Sequence, residues 1–124
     1  MRVIDRKIRD GIRALKSFKC GSSRLEVWYD ANNDPVIDYY LHNNRIATIT
    51  WNTEFGYHVL SLRDCGWRTK TTKDRMNGLL RTLGTNVGIY QNKFSWYVTN
   101  GVDTYQWNGH DTFNLEPTFY LGSK

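Results

Sequence analysis

The clearest structural signal in the sequence is a helical pattern that stops at Gly84. Four apolar residues follow the i, i+3, i+4, i+7 spacing of one helix face, namely Met76, Leu79, Leu80 and Leu83. We expect Thr71 or Thr72 to cap the start of this helix and Gly84 to end it. Gly78 lies inside the pattern, where glycine costs about 1 kcal/mol relative to alanine. We therefore expect another part of the chain to pack closely against Gly78.

A second helical pattern opens the chain, and it is amphipathic. Its apolar row consists of Ile4, Ile8, Ile12 and Leu15, with Phe18 continuing the row. The opposite face carries the cations Arg2, Arg6, Arg9, Arg13 and Lys16. We expect this helix to end at residues 20–23, where Gly21 suits the left-handed terminal position.

Eight further segments have the composition of β-strands separated by short turns. They are 25–29, 36–41, 45–51, 57–62, 87–91, 94–99, 102–107 and 112–115. Asn43-Asn44 is typical of a two-residue hairpin turn and Asn100-Gly101 of a type I′ turn, and the last third of the chain is typical of a β-meander. This order predicts an α+β fold with about six or seven mainly antiparallel strands and both helices packed on the sheet.

Length and composition set the limits within which the chain can fold. Its 124 residues suffice for one domain, 1–124, with one hydrophobic core. The N-terminal segment lacks the apolar stretch of a secretory signal, and no run reaches the ~20 apolar residues that span a membrane. Cys20 and Cys65 form no CxxC motif, and a reduced pair fits better than a single disulfide. We therefore expect a cytosolic protein without a membrane partner.

Positive charge is concentrated in two segments, although the whole chain carries only +5. Met1–Lys19 has seven Lys/Arg against two Asp, which gives +5, and Gly66–Gly84 has five against one, which gives +4. The remaining residues therefore carry −4. Such segregation is typical of a surface that binds a polyanion. The alternative is that two helices expose solvated cations without a ligand.

The strongest candidate binding segment is the Thr-rich stretch that leads into the second helix. The first turn of a helix has unpaired N–H groups and a partial positive charge, and both favour anions. The candidate residues of this segment are Trp67, Arg68, Thr69, Lys70, Thr71, Thr72, Lys73 and Arg75. Trp67 and Trp51 stand near polar or basic residues, where they could stack on unpaired bases. Alternatively, a threonine caps the helix and the cations are only solvated.

Residues of the types used in catalysis and metal binding form no recognisable pattern. His42, His58 and His110 have neither HxxxH nor HExxH spacing. The carboxylates are scattered, and no nucleophile elbow surrounds Ser61 or Cys65. We therefore expect a non-enzymatic protein without a metal or another cofactor.

Three separated stretches of the chain resemble one group of small proteins encoded by tailed bacteriophages. They are Leu41–Ala47, Gly66–Leu80 and Trp96–Val98, which match the pattern LHxxxIA, GWxTxTT(K/R)xR(L/M)NxLL and a later WY. The resemblance covers about residues 40–100 and leaves the N-terminal helix outside it. These proteins have no assigned activity, so the resemblance implies a phage origin and the host bacterial cytoplasm but no catalytic residues.

Together these features predict a phage accessory protein that binds DNA or RNA, mainly through backbone phosphates. One contact region would be the segment before the second helix. A second region would be Arg2, Arg6, Arg9, Arg13 and Lys16, if both helices lie on the same side. The alternative is a protein–protein modulator, such as an inhibitor of a host or phage enzyme, whose cations meet an acidic protein surface. A third hypothesis is a small anionic nucleotide held at Thr71–Thr72.

Overall fold

The structure, a computed structural model, describes residues 2–52 and 56–115 and confirms the α+β class. Within these residues there are two helices, α1 (Val3–Ala14) and α2 (Lys70–Thr82). The nine strands described are β1 (Phe18–Cys20), β2 (Ser23–Tyr29), β3 (Pro35–Leu41), β4 (Asn44–Asn52), β5 (Tyr57–Arg63), β6 (Gly88–Asn92), β7 (Ser95–Thr99), β8 (Thr104–Gln106) and β9 (His110–Asn114).

The strands form two antiparallel sheets. The larger has six strands in the order β1-β2-β3-β4-β5-β9, and the smaller has three in the order β6-β7-β8. The expectation of one meander in the last third is wrong for β9. This strand does not pair with β8 but pairs with β5 over five residues. The reason lies in β5, whose Leu60 and Leu62 are fully buried and whose edge would otherwise be open. β9 covers that edge, and Leu115 follows it into the core.

One hydrophobic core joins both sheets and both helices. Alternate residues of the strands face it, as Ile37 and Tyr39 do on β3. α1 contributes Ile8 and Ile12 from its apolar row. α2 and its C-cap residue Leu83 contribute all four residues of the helical pattern, with Met76, Leu79 and Leu80 inside the helix. These buried faces confirm both helical patterns.

α1 ends at Ala14, earlier than its sequence pattern indicates. Leu15 adopts a left-handed backbone with φ 51°, and the amide N–H of Lys16 donates to the carbonyl of Gly11, which is a Schellman-type ending. Phe18 belongs instead to β1, and its Cε1 would lie 2.6 Å from a Cβ added to Gly11. Gly21 therefore makes the left-handed turn between β1 and β2 and does not end the helix.

α2 is capped by Thr69, so the expectation that Thr71 or Thr72 caps it is wrong. Thr69 has the extended backbone of an N-cap residue, with φ −98° and ψ 162°. Its Oγ1 accepts a hydrogen bond from the amide N–H of Thr72 at 3.1 Å. At the other end Gly84 adopts φ +73°, which confirms its predicted terminal position.

The turn between β3 and β4 is shifted by one residue from the expected Asn43-Asn44. His42 and Asn43 form it, with φ 51° and 65°, and Asn44 is the first residue of β4. A β-bulge at the Tyr39–Tyr40 step accompanies the shift, because β4 contains one additional residue there, Ile46. The bulge restores the pairing of apolar residues farther along the two strands.

Asn77 connects α2 to the three-stranded sheet. Its side-chain amide donates to the carbonyl oxygen of Ile89, and its Oδ1 accepts from the amide N–H of Ile89, both at 2.8 Å. The Asn77 side chain thus bonds the edge of β6 as a neighbouring strand would. Because Ile89 is only 3% exposed, both bonds satisfy backbone groups that water does not reach.

Neither helix in the described part of the chain is long and apolar enough to cross a membrane. Cys20 and Cys65 are free thiols. The Sγ of Cys65 donates to the carbonyl oxygen of Arg45 at 3.2 Å, and burial raises the pKa of this thiol.

Candidate functional site

The two basic segments lie next to each other, because α1 packs beside α2. Near the start of both helices, Arg2 Nη2 lies 3.2 Å from Asp74 Oδ2, and the same carboxylate oxygen lies 2.7 Å from Lys70 Nζ. Farther along, Arg81 Nη2 is 3.9 Å from Asp5 Oδ2. These contacts bring Arg2 of the first segment beside Lys70 of the second, a relation that the sequence left open.

The helices approach each other closely at Gly78. A Cβ added to Gly78 would lie 2.1 Å from Oδ1 of Asp5 and 2.5 Å from its Cγ. Asp5 is itself only 4% exposed, so its carboxylate has little room to move away. The expectation of close packing at Gly78 is confirmed, and the group that packs there is the side chain of Asp5.

Arg2 and Arg9 lie on the flank of α1 that adjoins α2, and Arg6 and Arg13 lie next to them on the exposed face of the helix. Residues three or four positions apart share a helix flank, so Arg2 and Arg9 stand beside Asp5, which contacts α2. Arg9 also pairs with Asp10, with Nε 3.2 Å from Oδ1. We define the helix seam as the cations on this contact and on the exposed face of α1 next to it, Arg2, Arg6, Arg9, Arg13, Lys70 and Arg81.

The helix seam exposes positive charge that its carboxylates do not neutralise. Asp74 is shared by two cations, and the hydrogen bond from Lys70 is the main reason that its pKa lies below the usual range. Burial of Asp74 opposes that shift, while Arg2 adds to it. Arg6 and Arg13 are exposed and make no ion pair with any described residue. The seam therefore carries a net positive charge.

A cleft with a volume of about 380 Å³ opens at the start of α2. The β3–β4 hairpin forms one side of it, and the segment between β5 and α2 forms the other together with the first turn of α2. Its lining residues are Leu41, His42, Asn44, Ile46, Asp64, Trp67, Thr69, Thr71 and Thr72. We call this the Trp67 cleft. Two of the stretches that carry the phage resemblance, Leu41–Ala47 and Gly66–Leu80, meet in it.

The Trp67 cleft combines an apolar floor with an aromatic wall and a polar rim. Leu41 and Ile46 are 3% and 1% exposed and form the floor, whereas Trp67 is 59% exposed. Hydrogen-bonding groups come from His42, Asn44 and the threonines. None of the described lining residues is Lys or Arg. Nowhere in residues 2–52 and 56–115 do three or more His, Cys, Asp or Glu side chains form a group that could hold a metal ion.

Asp64 fixes the segment that carries Trp67. Its Oδ2 accepts from Trp107 Nε1 at 2.8 Å and from Arg68 Nε at 2.9 Å, and its Oδ1 accepts from the amide of Gly66 at 2.8 Å. Its carbonyl oxygen accepts from the amide of Trp67 at 2.8 Å, which closes a tight turn. Burial raises the pKa of Asp64, but the three hydrogen bonds outweigh it and hold the pKa below the usual range.

The three threonines of the candidate segment have different roles. The Oγ1 of Thr69 lies 3.1 Å from both the amide nitrogen and the hydroxyl of Thr72, so these two residues are joined in the cap. Thr72 is only 3% exposed. Thr71 has an exposed side chain on the rim of the Trp67 cleft. Of the three hydroxyls, that of Thr71 is the one best placed to meet a ligand.

The other candidate cations do not form one site. Arg68 is held by Asp64 through an ion pair of 2.9 Å. Lys73 and Arg75 are half-buried on α2 and make no ion pair with any described residue. Lys16 follows α1 and lines a different pocket. The candidate set is thus divided among the seam, the cleft and residues that belong to neither.

The sequence does not indicate the hairpin side of the cleft. Leu41 and Ile46 resemble ordinary strand residues, and His42 and Asn44 resemble turn residues. Asp64 is one of several scattered carboxylates, although an Asp three residues before Trp67 with a glycine between them is typical of a turn. The resemblance to the phage proteins was the one feature of the sequence that pointed to the cleft, because two of its stretches line it.

Comparison with known protein families shows which family the chain belongs to. The family model of the Kyanoviridae Gp96 protein matches residues 1–119. The chain belongs to this family. It is a bacteriophage protein family, as the resemblance implied, and the match extends beyond residues 40–100 to include α1. No curated protein and no solved structure matches the chain.

Proposed function

We propose that this phage protein binds nucleic acid, DNA or RNA, along the helix seam and mainly through backbone phosphates. The observation that supports the proposal is the pair of contacts, Arg2 with Asp74 and Arg81 with Asp5, by which α1 and α2 adjoin. Phosphate contacts fix position and affinity without reading sequence, so binding would be strongly salt-dependent and weakly specific. The host bacterial cytoplasm is where we expect the protein to meet such a partner.

The dimensions of the seam fit a short length of one strand. The 12 residues of α1 extend about 18 Å at 1.5 Å per residue. Phosphates of one B-form strand are spaced about 3.4 Å apart along the axis, so the helix runs beside about five of them. Four phosphate contacts by the seam arginines would give a slope of log affinity against log salt of about −3 for a single strand.

The experiment compares two charge-matched double variants by fluorescence anisotropy with a labelled oligonucleotide. Arg6→Gln with Arg13→Gln removes two cations from the helix seam. Lys19→Gln with Lys93→Asn removes two exposed cations outside it, and asparagine suits the φ of 59° at Lys93. We expect the seam variant to bind more weakly and its salt slope to become shallower by about 1.4 on single strands. The control variant should retain the slope of the unmodified protein.

Two outcomes would contradict this function. One is an absence of binding at low salt, or binding that does not respond to salt. The other is an equal loss of affinity in both double variants, because net charge and not the seam would then set the affinity.

A second candidate function, modulation of another protein, is favoured by the three-stranded sheet. Phe94 is 96% exposed and Val102 is 89% exposed, and both lie in turns next to β7. Exposed aromatic and apolar side chains are typical anchors of protein interfaces. If this function holds, a protein retained from nuclease-treated bacterial lysate should be lost with Phe94→Ser and kept with Arg6→Gln. The reverse dependence would favour the helix seam.

A further inference from the structure

The geometry points to a second element of recognition. We propose that the Trp67 cleft receives one unpaired base of a strand whose phosphates lie on the helix seam, so that the protein prefers single-stranded nucleic acid. This inference rests on the proposed function and adds the class of nucleic acid that the site accepts.

The lining of the cleft favours a neutral group over a phosphate. The nine lining residues that the structure describes include no Lys or Arg, and the one charged side chain among them, Asp64, is already paired with Arg68. Both oxygens of Asp64 already accept hydrogen bonds from Trp107, Arg68 and Gly66. A phosphate would therefore lose its water without gaining a cation. A base carries no formal charge and has polar edges that hydroxyl and amide groups can bond.

The cleft also offers the surfaces that a flat ring needs. Trp67 supplies an exposed indole, and the turn closed by Asp64 holds its backbone in place before any ligand arrives. Leu41 and Ile46 supply an apolar floor. Bases stack on aromatic side chains whatever their sequence, which agrees with weakly specific binding. The volume of about 380 Å³ lies within the range of small-molecule sites.

The cleft and the helix seam meet within the first turn of α2. Lys70, a seam residue, lies in the chain between the cleft residues Thr69 and Thr71. Its Nζ reaches Asp74, which also binds Arg2. A strand that follows the seam arrives at the cleft where α2 begins. In a duplex the bases are paired and stacked, and extruding one costs a few kcal/mol, so a duplex would bind without using the cleft.

The experiment uses the full chain and three fluorescein-labelled probes of equal length: a single strand, the same strand in a duplex, and an abasic strand with the same phosphates. Trp67→Ala removes the stacking wall. Phe94→Ala is the matched control, since it removes an aromatic ring that is 96% exposed outside the cleft. Affinities are measured by anisotropy across a range of salt concentrations. In parallel, quenching of intrinsic fluorescence by the single strand is compared with Trp67→Phe.

We expect the unmodified protein to bind the single strand more tightly than the duplex and the abasic strand. Trp67→Ala should weaken single-strand binding by between about fivefold and a hundredfold, the worth of one stacked base. It should leave duplex binding, abasic binding and the salt slope unchanged, and Phe94→Ala should change none of these. Trp67→Phe should lose much of the quenching while it retains most of the affinity.

Equal affinity of Trp67→Ala and the unmodified protein for the single strand would overturn the inference. So would an abasic strand that binds as tightly as the normal strand. If Arg6→Gln with Arg13→Gln still weakens binding in that case, the proposed function stands and only the base-binding cleft is refuted. Failure of every probe to bind would overturn both.

Discussion

We expect Gly78→Ala to destabilise the protein, although alanine is the better helix former. In an open position of α2 the substitution would stabilise the helix by about 1 kcal/mol. Here the new Cβ would stand 2.1 Å from Oδ1 of Asp5 and 2.6 Å from its Oδ2. Both oxygens lie well inside van der Waals contact, so the side chain of Asp5 or the whole of α1 has to move.

The magnitude follows from two opposing terms. Overpacking of a well-packed site costs about 1–3 kcal/mol. A contact more than 1 Å shorter than the van der Waals distance belongs near the upper end of that range. Asp5 is 4% exposed and has only one side-chain carbon between its backbone and its carboxylate, so it cannot swing into solvent cheaply. Subtracting the gain in helix propensity leaves a net loss of about 2 kcal/mol for Gly78→Ala.

A double-mutant cycle measures the clash separately from other effects of the substitution. Urea unfolding followed by circular dichroism gives the stability of Gly78→Ala in the unmodified protein and in the Asp5→Ala background. In that background the clash is absent, and we expect Gly78→Ala to be stabilising by up to about 1 kcal/mol. The sign of the effect should therefore reverse. A stabilising Gly78→Ala in the unmodified protein would refute the packing of the two helices described above.

Three further predictions concern single side chains. Thr69→Ala should cost about 1 kcal/mol because the cap of α2 is lost, whereas Thr71→Ala in the same segment should cost almost nothing, as measured by thermal unfolding. Asp64→Asn should cost about 2 kcal/mol at neutral pH, because the hydrogen bonds from Arg68 and Trp107 to a charged carboxylate are weakened or lost. Because the folded pKa of Asp64 is lowered, its contribution is complete above the unfolded value of about 3.9 and is lost as the pH falls towards the folded value. The urea stabilities of the variant and the unmodified protein should converge in that acid range, and a constant difference down to pH 2.5 would contradict this. Asn77→Ala should cost about 2–4 kcal/mol because it leaves both buried backbone groups of Ile89 unpaired, and hydrogen exchange at the Ile89 amide should accelerate.

Features that depend on neighbouring residues were predictable from the sequence. The spacing of Met76, Leu79 and Leu83 defines α2 because a helix face repeats within two turns, and tertiary packing then uses the same face. Gly78 signalled a close contact because glycine is unfavourable in a helix interior. The identity of its partner, Asp5, is not encoded nearby, since Asp5 lies more than 70 positions before Gly78 in the chain.

Features for which neighbouring residues offer several similar alternatives, such as the cap of α2 and the β3–β4 turn, were predicted less well. Three threonines stand near the start of α2 with similar capping ability, so the local sequence does not select Thr69. The hairpin register was missed by one residue because Asn43-Asn44 is a good turn sequence. That register would place Thr50 opposite Ile37 in the core, whereas the observed one pairs Ile37 with Ile49. Core pairing overrode the turn preference.

The Trp67 cleft was the least predictable part of the candidate site. Its two sides are separated in the chain by the rest of β4 and by β5, and they meet only when the sheet has formed. Residues such as Leu41 and Ile46 have no property that distinguishes a cleft floor from an ordinary core. Trp67 was recognisable as a surface candidate, because a large aromatic residue in a polar, glycine-containing turn has few apolar neighbours to pack against.

The pairing of β9 with β5 has a consequence for how the protein is made. Five strands of the large sheet lie within residues 18–63, but the strand that covers the edge of β5 ends at Asn114. At ribosomal rates of about 5–20 residues per second, roughly 3–10 s pass between the synthesis of the two strands. Throughout that interval the nascent chain presents an open edge next to its most buried leucines. The large sheet is therefore complete only after β9 has been synthesised. Until then the nascent chain is prone to aggregate through the open edge of β5.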